Sequence, residues 1–181
     1  KESFAFEISD YLQHAKIKGN QKYRPFDEYI AGDFSSASFF FAMAAISKSS
    51  VTVKGLDRND PQGDKEILTI LKKMGCLVEW NGNEVTVTGP EKLTGGEFDL
   101  NSMPDTLPIL SIVAAFAIED VHLTNVPQAR IKETDRISTM CSNLKLLGAN
   151  VKEEDDGILI HGKGSLRGGS ASGYGDHRII M

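Results

Sequence analysis

The strongest constraint on the fold of this chain is an internal repeat of roughly seventy residues. The segment VTVKGL (51–56) reappears as VHLTNV (121–126), a shift of 70. Each copy is preceded by a strongly apolar stretch, SSASFFFAMAAI (35–46) in the first and DTLPILSIVAAF (105–116) in the second. A repeat at a fixed period indicates that similar structural units pack side by side.

Each copy predicts the order helix, strand, helix, strand, strand. The first helix is apolar on nearly all sides, which indicates burial on most of its surface. The second helix carries apolar residues at i, i+3, i+4 and i+7, and this stripe recurs in both copies. NEVTVTG (83–89) pairs with DGILIHG (156–162) at a shift of 73, so the second copy is three residues longer. We expect an α/β fold of such repeats, with core-facing helices and outer sheets.

The repeat also predicts where units begin. We expect units over 33–102 and 103–172, and the start of a third over 173–181, because Asp176 lies 71 residues beyond Asp105. Residues 1–31 differ from these units. They predict a helix from residue 1 to about residue 13, a strand near 14–18 and a polar loop, and we interpret them as the end of a preceding domain. Both chain ends look cut, which predicts a piece of a longer protein.

Composition excludes some classes of function. The net charge is -5 and no basic tract occurs, so the overall charge gives no support for nucleic-acid binding. No apolar run reaches the ~18 residues of a membrane span. The two cysteines, Cys76 and Cys141, lie on or just after apolar helical patterns. We expect buried free thiols there.

The stretch RIKETDRI (130–137) carries charge on five of its eight side chains. In the repeat, 132–136 falls opposite 62–66, so the first copy begins the same helix without this charged cluster. On a helix, Lys132 and Arg136 would share a face at the N-terminus, where the helix dipole disfavours cations. This predicts an anion site. A solvated helix start in which Glu133 pairs with Arg136 explains the pattern equally well.

Polar residues also stand where the apolar helices begin. For Asp105, a helix N-cap is the simpler interpretation, and a general base with a pKa raised by partial burial is the alternative. Ser35 also favours capping. Asp176, His177 and Arg178 lie at the third helix start, and a metal site is disfavoured because no second His or Cys lies at ligand spacing. Packing around a pseudo-threefold axis would bring these helix starts to one opening.

The chain carries six recognisable motifs in order: GDFSSASFFFAMAA, QGD (62–64), MPD (103–105), RIKETDR, LGANV and YGDHRI. Together they resemble the motifs of the 3-phosphoshikimate 1-carboxyvinyltransferase (EPSP synthase) family, shikimate-pathway transferases of aromatic amino-acid biosynthesis and the target of glyphosate. The resemblance implies an inside-out α/β barrel built from such units around a pseudo-threefold axis, with the active site between two domains. The alternatives are the sister family of UDP-N-acetylglucosamine enolpyruvyl transferases and a non-catalytic anion-binding repeat module.

The resemblance also implies a reaction: transfer of the enolpyruvyl group of phosphoenolpyruvate to the 5-hydroxyl of shikimate 3-phosphate, with no metal or organic cofactor. Asp105 would be the base at that hydroxyl, and Glu133 would handle the proton on the methylene carbon. Lys132 would contact shikimate 3-phosphate and assist the proton steps. Arg136 and Arg178 would hold phosphoenolpyruvate.

Three further residues follow from the same resemblance. Gln128 stands where some family members carry an Asn that contacts shikimate 3-phosphate, and Asp176 and His177 are possible cleft residues. The resemblance implies a cytoplasmic enzyme, monomeric at full length, with neither nucleic acid nor membrane as a partner. Several substrate ligands of the family are absent from this chain, so we expect these 181 residues alone to be inactive.

Overall fold

A computed structural model of the protein describes residues 6–8, 14–22 and 25–181. The chain divides into two compact units, Lys1–Ile30 and Ala31–Met181. In the first unit, β1 (Phe6–Ile8) pairs antiparallel with β2 (Ala15–Ile17). The helix predicted from residue 1 to about residue 13 is therefore wrong over β1, where aromatic and β-branched residues favour a strand. The rest of that prediction lies outside the described residues.

The first repeat copy forms the predicted order of elements. These are α1 (Phe34–Ser47), β3 (Ser50–Lys54), α2 (Ile67–Lys73), β4 (Leu77–Asn81) and β5 (Glu84–Thr88). A 3-10 turn at Gly63–Glu66 leads directly into α2. The three strands form an antiparallel sheet in which β5 lies between β3 and β4.

The second copy repeats that order with α3 (Leu107–Ala115), β7 (Val121–Thr124), α4 (Arg136–Leu146), β8 (Asn150–Glu154) and β9 (Gly157–His161). One strand was not predicted: β6 (Gly96–Asp99) pairs parallel with β7. The resulting four-stranded sheet has the order β6-β7-β9-β8, and its other pairs are antiparallel. A short helix, α5 (His177–Ile180), begins inside the predicted third unit.

The apolar first helices of the two copies form the core, as their composition predicts. α1 packs against α3, and each helix also packs on the sheet of its own copy. Phe41 of α1 and Leu107 of α3 are completely buried. Complete burial of a side chain of this kind contributes about 1.5–3 kcal/mol. This packing fixes the positions of the helix starts, which carry the predicted polar residues.

Three 3-10 turns lie next to one another at those helix starts. The turn at Gly63–Glu66 contacts the turn at Pro104–Thr106, which in turn contacts the turn at Pro127–Ile131. Segments more than sixty residues apart in the sequence therefore meet at one place in the fold.

Candidate active site

The helix starts carry their polar residues at matching repeat positions. Shifts of 70 and 73 align Ser35, Asp105 and Arg178. Asp33 and Asp176, which are 143 residues apart, are the N-caps of α1 and α5 and accept hydrogen bonds from the backbone N–H groups that follow them. Asp176 therefore corresponds to Asp33. Its predicted equivalence with Asp105 is wrong, because its carboxylate caps the helix and that of Asp105 does not.

Asp105 lies in the 3-10 turn ahead of α3, and the N-cap position of that helix is occupied by Thr106. The simpler interpretation, an N-cap aspartate, is therefore wrong. One carboxylate oxygen, Oδ1, accepts from Arg136 Nη1 at 2.9 Å and lies 3.2 Å from Lys132 Nζ. Arg178 Nη2 lies 3.9 Å from the other oxygen, Oδ2. Three cations thus surround one partly exposed carboxylate.

These cations reverse the predicted pKa shift of Asp105. Partial burial acts to raise the pKa of this carboxyl, as the sequence led us to expect. Lys132 and Arg136 outweigh burial, and the pKa of Asp105 lies below its ordinary value. Asp105 is therefore ionised at neutral pH and can accept a proton.

The charged segment 132–135 is not helical. The 3-10 turn ends at Ile131, Lys132 has extended backbone angles, and α4 begins only at Arg136. Asp135 is the N-cap, with Oδ1 accepting from Ser138 N at 3.0 Å. The prediction that Lys132 and Arg136 share one helix face is wrong. The Asp135 carboxylate caps the N-terminus of α4, so the helix begins after it and Lys132 lies outside the helix. Lys132 reaches Asp105 from this irregular segment, and Arg136 reaches it from the first position of α4.

Arg136 connects three carboxylates at the centre of the site. Its Nε donates to Asp176 Oδ2 at 2.8 Å and Nη1 to Asp105 Oδ1 at 2.9 Å. Its Nη2 donates to Glu133 Oε2 at 2.7 Å and to Asp176 Oδ1 at 3.2 Å. The expected Glu133–Arg136 pair therefore forms, but the site is not a solvated helix start, because Arg136 is only 1% exposed. We call these three carboxylates, together with Arg136, Lys132 and Arg178, the Asp105 cluster.

Asp176 is the completely buried member of the cluster. Besides Arg136, it accepts from Thr134 Oγ1 at 3.2 Å and from the backbone N–H of Arg178 at 2.9 Å. Burial acts to raise the pKa of Asp176, but these donors outweigh it and hold the pKa below its ordinary value. Asp176 therefore binds and orients Arg136 as an ionised partner.

His177 and Arg178 are the first two residues of α5 and directly follow Asp176 in the chain. The Arg178 side chain is largely buried, and its Nε has no hydrogen-bond partner among the described residues. An unpaired buried donor on a cation is ready to bind an anion. His177 is more exposed, and its Nδ1 lies 3.7 Å from Glu133 Oε1 and 3.9 Å from Asp176 Oδ1.

Gln128 lies on the 3-10 turn at Pro127–Ile131, and its Nε2 donates to the Asn101 carbonyl at 2.8 Å. Among the described residues, no hydrogen bond or ion pair joins the Gln128 side chain to the Asp105 cluster, although its turn contacts the turn of Asp105. The other seven predicted site residues are all joined to one another through hydrogen bonds or ion pairs.

Asp64 is a residue that the sequence argument missed. The Ser35 hydroxyl donates to Asp64 Oδ2, so Ser35 is not the helix cap that we predicted. Burial raises the pKa of Asp64, and nearby Asp105 adds to this effect, whereas Ser35 and Arg178 oppose it. The available signal was QGD (62–64), one of the motifs of the resemblance, for which the sequence argument assigned Asp64 no role.

Among the described residues, no group of three or more His, Cys, Asp or Glu side chains is placed to hold a metal ion. In the same part of the chain, no helix is long and apolar enough to cross a membrane. Cys76 and Cys141 are buried free thiols, as predicted, and burial raises the pKa of each to about 11.

Comparison with solved structures defines the class of protein. The EPSP synthase of Acinetobacter baumannii matches with a TM-score of 0.77 and 29% identity, over 98% of this chain and 44% of that one. The enolpyruvyl transferase NikO of Streptomyces tendae matches with a TM-score of 0.63 and 18% identity, over 87% and 37%. The fold is that of the enolpyruvyl transferases, which confirms the predicted fold class.

Comparison of sequences then identifies the family. A family model for EPSP synthase (3-phosphoshikimate 1-carboxyvinyltransferase) matches residues 2–181. The 3-phosphoshikimate 1-carboxyvinyltransferase of Ruminiclostridium cellulolyticum is 49% identical over 165 residues, which is 91% of this chain and 39% of that protein. The chain belongs to the EPSP synthase family. It spans about two fifths of the length of the curated relatives that it matches.

Proposed function

We propose that the full-length enzyme containing this chain transfers the enolpyruvyl group of phosphoenolpyruvate to the 5-hydroxyl of shikimate 3-phosphate and releases phosphate. One observation carries this proposal: in a chain of this family, the predicted acid, base and cations meet in one cluster around Asp105. The reaction as proposed uses proton transfer and charge stabilisation by side chains, without a metal or organic cofactor. The rest of the full-length chain would supply the remaining substrate contacts.

In this proposal, Asp105 takes the proton of the attacking hydroxyl. Without substrate, Lys132 and Arg136 hold the pKa of Asp105 low, which makes it a weak base. An anionic substrate that draws the Lys132 ammonium away would remove part of this stabilisation. The pKa of Asp105 would then rise when the hydroxyl arrives, and Asp105 would become a stronger base. Gln128 would add a contact to shikimate 3-phosphate through its amide.

Glu133 gives a proton to the methylene carbon during addition and removes one during elimination. The phosphate and carboxylate of phosphoenolpyruvate suit guanidinium groups, which bind planar anions through two parallel hydrogen bonds. Arg178 offers its unpaired Nε for this purpose. Arg136 already donates to three carboxylates, so it would bind phosphoenolpyruvate by exchanging one of them for the substrate.

Substitution of the proposed base and acid tests this function. In the full-length enzyme, Asp105→Asn and Glu133→Gln should each lower the rate of phosphate release from phosphoenolpyruvate by about 10²–10⁴-fold, the usual contribution of a positioned acid or base. Asp99→Asn is the matched control, because Asp99 is an exposed aspartate six residues earlier in the chain whose Oδ2 accepts from Asn125. Unchanged phosphate release in both site variants would contradict the assigned roles.

The choice of acceptor separates this proposal from its alternatives. Phosphate release that depends on UDP-N-acetylglucosamine would place the enzyme with the sister transferases. If no phosphate is released with either acceptor, a non-catalytic anion-binding module is favoured. We further propose that the full-length protein acts as a monomer in the cytoplasm, with small-molecule substrates as its partners.

A further inference from the structure

The segment 132–135, which carries Lys132 and Glu133, belongs to no helix or strand. The side chains of Lys132 and Glu133 each contact a residue of opposite charge. Lys132 Nζ lies 3.2 Å from Asp105 Oδ1, and Glu133 Oε2 accepts from Arg136 Nη2 at 2.7 Å. A segment without regular structure needs other contacts to hold its side chains within a fraction of an ångström. The structure shows such contacts from Arg130, just before the segment, and at Asp135, its last residue.

The side chain of Arg130 makes several of these contacts. Its Nε donates to the Asp155 carbonyl at 2.7 Å and its Nη2 to the Glu154 carbonyl at 2.6 Å, in the turn between β8 and β9. Its Nη1 donates to Asp135 Oδ2 at 2.7 Å and to Glu153 Oε1 at 3.0 Å. The planar guanidinium thus joins the β8–β9 hairpin to the last residue of the segment.

Asp135 bonds both to Arg130 and to the N-terminus of α4. Its Oδ2 is bound by Arg130, and its Oδ1 accepts from Ser138 N as the N-cap of α4. The next residue, Arg136, connects Asp105, Glu133 and Asp176 in the cluster. The Arg130–Asp135 pair is therefore one link between the cluster and the four-stranded sheet, in addition to the packing of α4 on that sheet.

The first repeat copy shows that the fold does not need this pair. A shift of 70 places Asp60 opposite Arg130 and Lys65 opposite Asp135, so the charges are reversed. Lys65 Nζ donates to the carbonyls of Asp60 at 2.6 Å and Arg58 at 3.1 Å, and Asp60 Oδ1 accepts from the backbone N–H of Gln62. The equivalent helix, α2, forms there without a guanidinium clamp, directly after the 3-10 turn at Gly63–Glu66.

We propose that Arg130 is a positioning residue for the carboxyvinyl transfer, which holds Lys132 and Glu133 in place through Asp135 and the β8–β9 turn. The inference rests on the proposed function for its kinetic consequence. Loss of the clamp displaces both side chains, and misplacement of about 1 Å can lower the rate about 10²-fold. The loss falls mainly on kcat, because the proton steps depend most steeply on position.

The kinetic test uses the full-length enzyme, three variants of the Arg130–Asp135 pair and one control variant. Arg130→Gln should lower kcat by about 10–100-fold with a smaller change in KM. Asp135→Asn keeps the helix cap and breaks the ionic link, so it should lower kcat by at least about fivefold. In the double variant, kcat should be no lower than in Arg130→Gln, because both changes break the same connection. Glu153→Gln, which leaves the Asp135 contact in place, is the control and should keep the parent kcat.

A structural role alone would lower the melting temperature and leave kcat per folded molecule at the parent value, and that result overturns the proposal. Independent effects that multiply in the double variant also overturn it. If Arg130→Gln does not fold, Asp135→Asn decides by the same criterion. Amide hydrogen exchange provides a readout without turnover. In Arg130→Gln and in Asp135→Asn, exchange should be faster than in the parent over 132–136 and should remain at the parent rate over 62–66. An inactive parent would contradict the proposed function alone, and the exchange result would still decide this inference.

Discussion

At the scale of single residues, the site depends on one buried cation and the carboxylates that compensate it. Arg136 is 1% exposed and Asp176 is completely buried, and their charges are satisfied by each other and by the two more exposed carboxylates. Removal of one partner from a buried ion pair leaves an uncompensated charge, which costs more than the pair contributes when intact. Asp176 should therefore matter for stability as much as for substrate binding.

The variant Asp176→Asn should lower the free energy of unfolding at pH 7 by on the order of 3 kcal/mol, measured by urea denaturation. The pKa of Asp176 in the folded protein lies below its ordinary value of 3.8. Its ionisation therefore stabilises the fold above that pH, and this contribution disappears as the pH falls through the lower folded value. The parent should lose stability as the pH falls through 3.8 and below, and the variant should lose less over the same range.

Asp120→Asn is the control, because Asp120 pairs with His161 at an exposed position and its loss should cost less than about 1 kcal/mol. Equal unfolding free energies of Asp176→Asn and the parent at pH 7 would show that the buried pair contributes no net stability.

At the scale of elements, the two repeat copies share a close contact between a strand end and a helix end. Gly89 follows β5 and Gly162 follows β9, and these glycines are 73 residues apart. A Cβ on Gly89 would lie 2.3 Å from the Ala44 carbonyl oxygen near the end of α1. A Cβ on Gly162 would lie 2.2 Å from the carbonyl oxygen of Glu119, shortly after α3. The shared glycine is thus explained by packing within each copy.

We expect Gly89→Ala and Gly162→Ala each to lower the free energy of unfolding by about 1–3 kcal/mol, because backbone must shift to admit the methyl group. Gly168→Ala is the matched control: no atom lies within 4 Å of its added Cβ, and its backbone is outside the left-handed region. Chemical denaturation of the three variants measures the difference. A loss of stability in Gly168→Ala equal to the other two would contradict the role of the close contacts, because backbone entropy by itself favours alanine over glycine.

At the scale of the whole molecule, the chain carries an assembled cluster but spans only about two fifths of the length of its curated relatives. The described pieces are two units, of which Ala31–Met181 holds the cluster. The assignment of residues 1–31 to the other domain of the enzyme stays a prediction, as do the unit boundaries.

The 181-residue chain by itself should release no phosphate from phosphoenolpyruvate, and should bind shikimate 3-phosphate more weakly than about 1 µM, or about -8 kcal/mol. Its cations are already partly neutralised by their own carboxylates, and part of each substrate would remain in water. Isothermal titration of the chain and of the full-length enzyme under the same conditions measures the difference. Binding by the chain as tight as by the full-length enzyme would contradict the need for the remaining residues.

What the sequence by itself determined is the order of elements and the identity of the core. The repeat and the helical spacing report local geometry, so the two copies and the buried first helices were predictable. The motifs likewise named seven residues that the structure joins in one network. The strand β1 was missed because a short segment gives too little periodicity to distinguish strand from helix.

Only the tertiary structure decided which groups meet and what each contact does. The pKa of Asp105 is lowered by Lys132 and Arg136, about thirty residues farther along the chain, and Asp64 accepts a hydrogen bond from Ser35. The start of α4 depends on Asp135, whose carboxylate is bound by Arg130 and by the helix itself. Coulomb interactions and desolvation vary with distances in space, and spacing in the sequence does not specify those distances until the helices have packed.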